Sequence, residues 1–254
     1  MRQKVLLIVV DGLRADAPCL CGDRFAPLKE QSLYGTARTV MPSVTLPAHF
    51  SLFHSVDPDR HNILTNLYTP MVRPVDGLID VLAQRGKRCA MLYSWEELRD
   101  LSRPGRLCFA KFRDVHRSAE VDNRLTEDAN SLMRSEELDF LFLYLGQTDD
   151  AGHSFGWLSP EYLKTTENAM RCIRLLADSF PHYHLIVTAD HGGHERMHGT
   201  DCPEDMQIPL LIRSPGAAPG KIEGASIKDV APTVLDIFGV EAPSEWEGKS
   251  LLRG

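Results

Sequence analysis

The chain has 254 residues, of which 35 are acidic and 28 basic, giving a net charge of −7 with 43% hydrophobic and 25% charged residues. These are globular proportions, and the length suits one large α/β domain over residues 1–254, with room for a modest insertion. The acidic balance excludes a general binder of nucleic-acid polymers or of anionic membranes. It leaves open a small phosphate ester, because a local metal charge can outweigh the global sign.

The first predicted element is a strand over Lys4–Val10. Its basic start and apolar body superficially imitate a signal peptide. The apolar run is six residues long, however, and it meets Asp11 directly with no small-residue cleavage site behind it. Helices follow over Pro47–Ser55 and Val75–Arg85, then a strand over Arg88–Tyr93 and a helix over Ala119–Ser135. Next come a strand over Asp139–Leu145, a helix over Pro160–Ser179, and strands over His184–Thr188 and Gln207–Arg213. A helix over Asp229–Phe238 ends at Gly239. Residues 66–117 are richer in proline, glycine and isolated charges, which suits a small insertion over the sheet. This alternation predicts a three-layer α/β sandwich, a mainly parallel central sheet flanked by helices. Neither apolar run approaches the roughly 20 residues that span a bilayer, so no membrane segment is expected. The six cysteines form no C-x-x-C pair and no disulfide rhythm, so the expectation is free thiols in a cytoplasmic protein.

In an open α/β sheet, ligands bind beyond the carboxyl ends of the strands. Three acid-bearing motifs fall at predicted strand ends. Asp11 follows the first strand in V-V-D-G-L-R, where Asp-Gly also reads as a turn. Asp149 and His153 follow Phe140–Leu145 in T-D-D-A-G-H-S-F-G, and a spacing of four lets acid and imidazole meet on one metal. Asp150 is the competing carboxylate, suited to a supporting or capping role. Asp190 and His191 follow the fourth strand in T-A-D-H-G-G-H-E-R-M-H-G-T, with His194 and His198 close behind. Carboxylate oxygens with imidazole nitrogens suit Zn²⁺, and less specifically Mn²⁺ or Fe²⁺. The number of candidate ligands suits two ions. For a nucleophile, M-P-S-V-T-L-P-A-H offers Thr45 at a helix entry, where a capping role competes, with Ser43 as the fallback.

With these residues in view, the chain resembles the alkaline phosphatase superfamily, in its type I phosphodiesterase/nucleotide pyrophosphatase branch. The likeness runs from V-V-D-G-L-R through V-T-L-P-A-H, T-D-D-A-G-H-S-F-G and T-A-D-H-G-G-H to I-K-D-V-A-P-T-V-L-D-I-F-G-V. It implies an alkaline-phosphatase-like fold and one metal held by Asp11, Thr45, Asp190 and His191. It implies a second held by Asp149, His153 and a third histidine, with His198 the first candidate and His194 the second. The family's phosphate-binding asparagine follows H-G-I-x-x-N; here His61-Asn62-Ile63-Leu64-Thr65-Asn66 points to Asn66, with Asn62 in place of the glycine. The last histidine lies nearer than in nucleotide pyrophosphatases, as in ethanolamine-phosphate transferases. Sulfatase relatives carry C/S-x-P-x-R, whereas Thr45-Leu46-Pro47-Ala48-His49 lacks both the convertible residue and the arginine.

The resulting expectation is a hydrolase of small phosphate esters with two divalent ions, zinc first. Its turnover passes through a phospho-threonine on Thr45, and Asn66 binds the phosphoryl oxygens. The alternatives are a phosphomonoesterase, a phosphonate hydrolase, a phosphotransferase or mutase, and last a non-catalytic binding protein. Phe155 and Trp157, just behind His153, are the expected substrate-binding aromatics, ahead of Trp95 and Phe109.

Overall fold

Six consecutive apolar residues, Val5–Val10, form strand β1, and none is more than 1% exposed, so both faces of the strand are covered. The structure is a computed structural model, which describes residues 2–21 and 25–252. The further strands are β2 (Leu33–Arg38), β3 (Cys89–Tyr93), β4 (Phe109–Phe112), β5 (Phe140–Leu145), β6 (His184–Thr188), β7 (Gln207–Arg213) and β8 (Gly220–Ser226). The helices are α1 (Ala17–Leu20), α2 (Ala26–Lys29), α3 (Thr45–His54), α4 (Pro58–His61) and α5 (Leu78–Gln84). They continue with α6 (Val121–Ser135), α7 (Gln147–Phe155), α8 (Pro160–Ser179), α9 (Pro203–Met206) and α10 (Val230–Ile237).

All the strands join one sheet in the order β4-β3-β5-β1-β6-β7-β2-β8. β1 runs parallel to β5 (Val5 beside Phe140, Val10 beside Leu145) and to β6 (Val5 beside His184, Val9 beside Thr188). β7 alone is reversed, pairing antiparallel with both β6 and β2. Helix contacts fall into two groups: α1, α6 and α7 pack with α8, while α4, α5 and α10 pack with α3. These groups are the outer layers of the expected α/β sandwich.

The five predicted strands lie in the middle of the sheet or beside it. Three strands were not anticipated. β2, β4 and β8 carry exposed or half-exposed residues at most positions, with glycines in β2 and β8, so no continuous apolar run marks them. α7 was also missed as a helix, because its QTDDAGHSF sequence spends its positions on polar groups instead of a periodic apolar stripe. α3 starts at Thr45, two residues before the predicted start at Pro47. The stretch 66–117 contributes α5, β3 and β4 to these layers. Among the described residues no helix is long and apolar enough to cross a membrane, and all six cysteines are free.

Two consequences position the site. β5, β1 and β6 are neighbours with a common direction, so their carboxyl ends open side by side. α3 is fixed against the same sheet by ring contacts: Phe53 and His49 lie edge-on to Phe142 of β5, with centroids 4.9 and 6.1 Å apart. Phe142→Ala should therefore lower stability by about 3–5 kcal/mol. Urea unfolding reads this as a lower midpoint at unchanged slope; an unmoved midpoint would contradict the packing described.

Candidate active site

Asp11 extends β1 by one residue, and its N–H donates to Leu145 O at 2.9 Å. The next residue has a φ of 62°, and a Cβ on Gly12 would sit 2.9 Å from Asp149 Oδ1, so the Asp-Gly pair brings two acids together as well as turning the chain. Gly12 N–H donates to Asp190 Oδ1 at 3.2 Å, and His191 N–H donates to the same oxygen at 3.0 Å. The opposite oxygen, Asp190 Oδ2, faces the site.

Two clusters result. In the first, His191 Nε2 lies 3.4 Å from Asp11 Oδ1, 3.5 Å from Asp190 Oδ2 and 3.2 Å from Thr45 Oγ1. In the second, Asp149 Oδ2 is 3.4 Å from His153 Nε2, and Asp149 Oδ1 is 3.8 Å from His198 Nε2. Within each cluster the candidate donors of the acids and histidines lie within 4.8 Å of one another. The rings of His191 and His198 stack at 3.7 Å and join the two. His198, of the two candidates, is the histidine beside Asp149. His194 stands apart, with Cys202 and Asp205.

The histidines are presented in one way. Each Nδ1 meets a backbone carbonyl: His191 at Gly192 O (2.8 Å), His153 at Arg196 O (3.0 Å) and His198 at Ser43 O (2.9 Å). A carbonyl only accepts, so Nδ1 carries a proton, and Nε2 is the nitrogen each ring presents to the carboxylates. Burial lowers the His198 pKa to about 3, with the His191 ring adding to the effect, which keeps it neutral. Burial pushes Asp11 well above the usual carboxylate range, and the charges of Asp149 and Asp190 push it further. Burial also raises Asp149, against the pull of His191 and His153. Asp190 is lowered: burial opposes ionisation, but His191, His49 and the Gly12 N–H outweigh it. Asp11 Oδ1, Asp149 Oδ1 and Asp190 Oδ2 are all buried without a hydrogen-bond partner. Orphaned carboxylate oxygens beside imidazole Nε2 atoms are costly in a dry site and complementary to divalent cations.

Thr45 is the first residue of α3, preceded by the extended Val44, and its hydroxyl makes no capping bond. It faces His191 instead, so the competing capping role is not what the structure displays. Ser43 Oγ donates to Thr200 O at 2.7 Å, which occupies the fallback nucleophile. Asn66 Oδ1 accepts the Leu46 N–H at 3.0 Å, and this fixes the amide with its Nδ2 donors available. A cavity of about 200 Å³ is lined by Asp11, Thr45, Asn66, Asp149, His153 and His198. Its other walls include Trp95, His116, Tyr144 and Asp150.

Phe155 and Trp157 do not line this cavity. They border a neighbouring groove with Glu195, Arg196 and Met197. Trp157 is buried, and its indole N–H donates to Gly12 O at 2.9 Å, so it braces the Asp11 turn from behind. Sequence reasoning missed Tyr144, whose hydroxyl donates to Asp11 Oδ2, and His116, 3.4 Å from Asp150. Tyr144 reads as one more apolar residue of a buried strand; only the register beside β1 reveals its partner.

Known proteins resemble this chain in sequence and in fold. Residues 5–205 match the model of the family described as type I phosphodiesterase/nucleotide pyrophosphatase. The 2,3-bisphosphoglycerate-independent phosphoglycerate mutase of Staphylococcus epidermidis is 31% identical over 142 residues, covering 53% of this chain. The match spans only 26% of the length of that mutase. Among solved structures, murine ectonucleotide pyrophosphatase/phosphodiesterase 5 in complex with AMP superposes with a TM-score of 0.79 at 14% identity, covering 96% of this chain and 97% of that one. The phosphonate monoester hydrolase of Silicibacter pomeroyi gives 0.74 at 17%, covering 98% and 76%. At such identities these two likenesses establish the fold.

A second constraint holds the strand-end helix in place. The buried Asp122 carboxylate, in the first turn of α6, accepts the N–H groups of Gly146 (3.1 Å) and Gln147 (3.4 Å) at the start of α7. Gln147 Oε1 returns the bond, accepting the Asp122 N–H at 3.0 Å. Burial lifts the Asp122 pKa from 3.8 to about 7, although the two N–H donors pull it down. A folded-state value above the unfolded one means the fold favours the protonated acid, so this group's contribution to stability declines as pH rises from about 4 to about 7. Asp122→Asn removes that slope. In urea unfolding at fixed metal concentration, the wild type's margin over the variant should shrink between about pH 4 and about pH 7; a constant margin would contradict the assignment.

Proposed function

The chain belongs to the type I phosphodiesterase/nucleotide pyrophosphatase family, and on that premise we propose that it is a metal-dependent phosphodiester hydrolase with Thr45 as its nucleophile. The observation that carries the reading is the Thr45 hydroxyl: free of any capping bond, at a helix N-terminus, 3.2 Å from His191 and on the wall of the cavity that both clusters line. The fold's membership supports phosphoryl transfer and hydrolysis as the chemistry.

Asp11, Thr45, Asp190 and His191 would hold one divalent cation and Asp149, His153 and His198 the other, with zinc the best match to the donors. Bound there, the cations would lower the pKa of the threonine hydroxyl and neutralise charge on the phosphoryl group. Thr45 Oγ1 loses its proton to solvent and attacks phosphorus in line; the Oγ1–P bond forms while the bond to the leaving oxygen breaks, and that oxygen takes up a proton from solvent. Asn66 Nδ2 and the Thr45 N–H donate to the non-bridging oxygens, where charge builds in the transition state. Water then cleaves the Oγ1–P bond and restores the hydroxyl. Small phosphate esters suit a cavity of about 200 Å³. AMP, held by the murine structural relative, is a reasonable first probe of their nucleotide members.

A second reading keeps the same first step and passes the phosphoryl group to an organic acceptor instead of water. The match to a quarter of a phosphoglycerate mutase favours it specifically. Mass spectrometry of the products separates the two readings: free phosphate or phosphomonoester supports hydrolysis, and a phosphorylated acceptor supports transfer.

Thr45→Ala should reduce turnover of a chromogenic phosphodiester by on the order of 1000-fold or more while the protein stays folded. Turnover within about tenfold of wild type would remove Thr45 from this role. Chelator treatment should abolish the wild-type activity, and added Zn²⁺ should restore it.

A further inference from the structure

The segment from His191 to Met206 returns on itself. Gly192 and Gly193 donate their N–H groups to Asp205 O and Glu204 O at 2.8 and 2.9 Å, and His194 bridges to Met197. A Cβ on Gly193 would lie 2.1 Å from the Trp157 ring, so the fold-back is packed tightly against the residue that braces Asp11. This segment delivers His191 to one cluster and His198 to the other. His194, the histidine left over, sits at its neck beside Cys202 and Asp205.

We propose that His194 Nδ1, Cys202 Sγ and Asp205 Oδ1 form a third metal site, specific for Zn²⁺ and separate from the two catalytic clusters. The three atoms lie within 4.8 Å of one another. Nδ1 is 3.6 Å from Sγ and 2.8 Å from Oδ1. Zinc–sulfur and zinc–nitrogen bonds of about 2.3 and 2.0 Å at a tetrahedral angle give an S···N edge of about 3.5 Å, so the cysteine and histidine need almost no movement, while the Nδ1–Oδ1 hydrogen bond opens by about 0.5 Å to reach the N···O edge of about 3.3 Å. The carboxylate is pre-aimed: Thr200 donates its N–H (2.9 Å) and its hydroxyl (2.8 Å) to Asp205 Oδ2, leaving Oδ1 to face His194. Such outer bonds are how proteins orient a metal's carboxylate. A thiolate and a carboxylate balance the charge of Zn²⁺, and the sulfur selects it over harder cations. Asp205 is buried while His194 and Cys202 are half-buried, so the fourth position opens toward solvent. On binding, the thiol loses its proton to solvent and the imidazole proton shifts from Nδ1 to Nε2. The metal would then lock the neck of the segment that presents His191 and His198.

Neither catalytic cluster contains sulfur, which gives this site its own signal. The chelator-stripped protein is titrated with Co²⁺ and read for a thiolate-to-cobalt charge-transfer band in the near ultraviolet, with bound metal counted in parallel. The expected result is the band in wild type, three equivalents of metal, and loss of both the band and one equivalent in Cys202→Ser. Asp205→Asn, which keeps the thiol and the shape, should weaken the band and provides the check if the cysteine variant folds poorly. Two equivalents without the band would overturn the third site and leave the proposed function standing. A band that survives in Cys202→Ser, arising from another cysteine, would overturn it equally.

Discussion

Three aspartates at the ends of three adjacent parallel strands are the constraint on which this molecule turns. Two like charges 4 Å apart repel by about 4 kcal/mol at an effective dielectric of 20, and burial adds the loss of hydration. The sheet order β5-β1-β6 leaves no choice about their proximity, because Asp11, Asp149 and Asp190 each lie within a few residues of a strand end. The surroundings reduce this strain only in part. Gly12 and His191 N–H groups serve one Asp190 oxygen and Tyr144 serves one Asp11 oxygen, while one oxygen of each aspartate stays orphaned.

The rest of the site is arranged around those oxygens. Three histidines are tied through Nδ1 to backbone carbonyls, and so each directs Nε2 inward. A histidine held through its Nδ1–H by an outer acceptor, with Nε2 directed at carboxylate oxygens that have no hydrogen-bond partner, is the arrangement that metal coordination uses, and it is the physical basis of the proposed two-cation site. The supporting layer is also explicit. Trp157 braces Gly12, the Asp122–Gln147 clasp holds the start of α7, and Phe142 anchors α3 behind Thr45.

Much of this was readable from the chain alone, for identifiable reasons. β1, β5 and β6 are buried on both faces and appear as uninterrupted apolar runs, so their ends, and the acids placed there, stand out. Thr45 was legible through Pro47 two positions on, although the helix begins at the threonine itself. The edge strands β4 and β8, and β2 beside β8, were not, since their residues are mostly exposed or half-exposed and their sequences mixed. The choice between His198 and His194 depended on a segment folding back through the His194–Met197 bridge, which no local spacing encodes. Phe155 and Trp157 showed the opposite difficulty. Closeness to His153 in sequence suggested the cavity wall, whereas Phe155 borders the neighbouring groove and Trp157 backs His153 and His198 edge-on, at 5.1 and 6.0 Å between centroids; Trp95 and His116 line the cavity from distant segments.

The central claim is that two divalent cations resolve the crowding of these carboxylates. Anomalous diffraction from crystals grown with Zn²⁺, collected on both sides of the zinc absorption edge, tests it most directly. The account predicts one peak among Asp11, Thr45, Asp190 and His191, and a second among Asp149, His153 and His198. Crystals that show no anomalous density at either cluster, with the three aspartates in the same places, would contradict it.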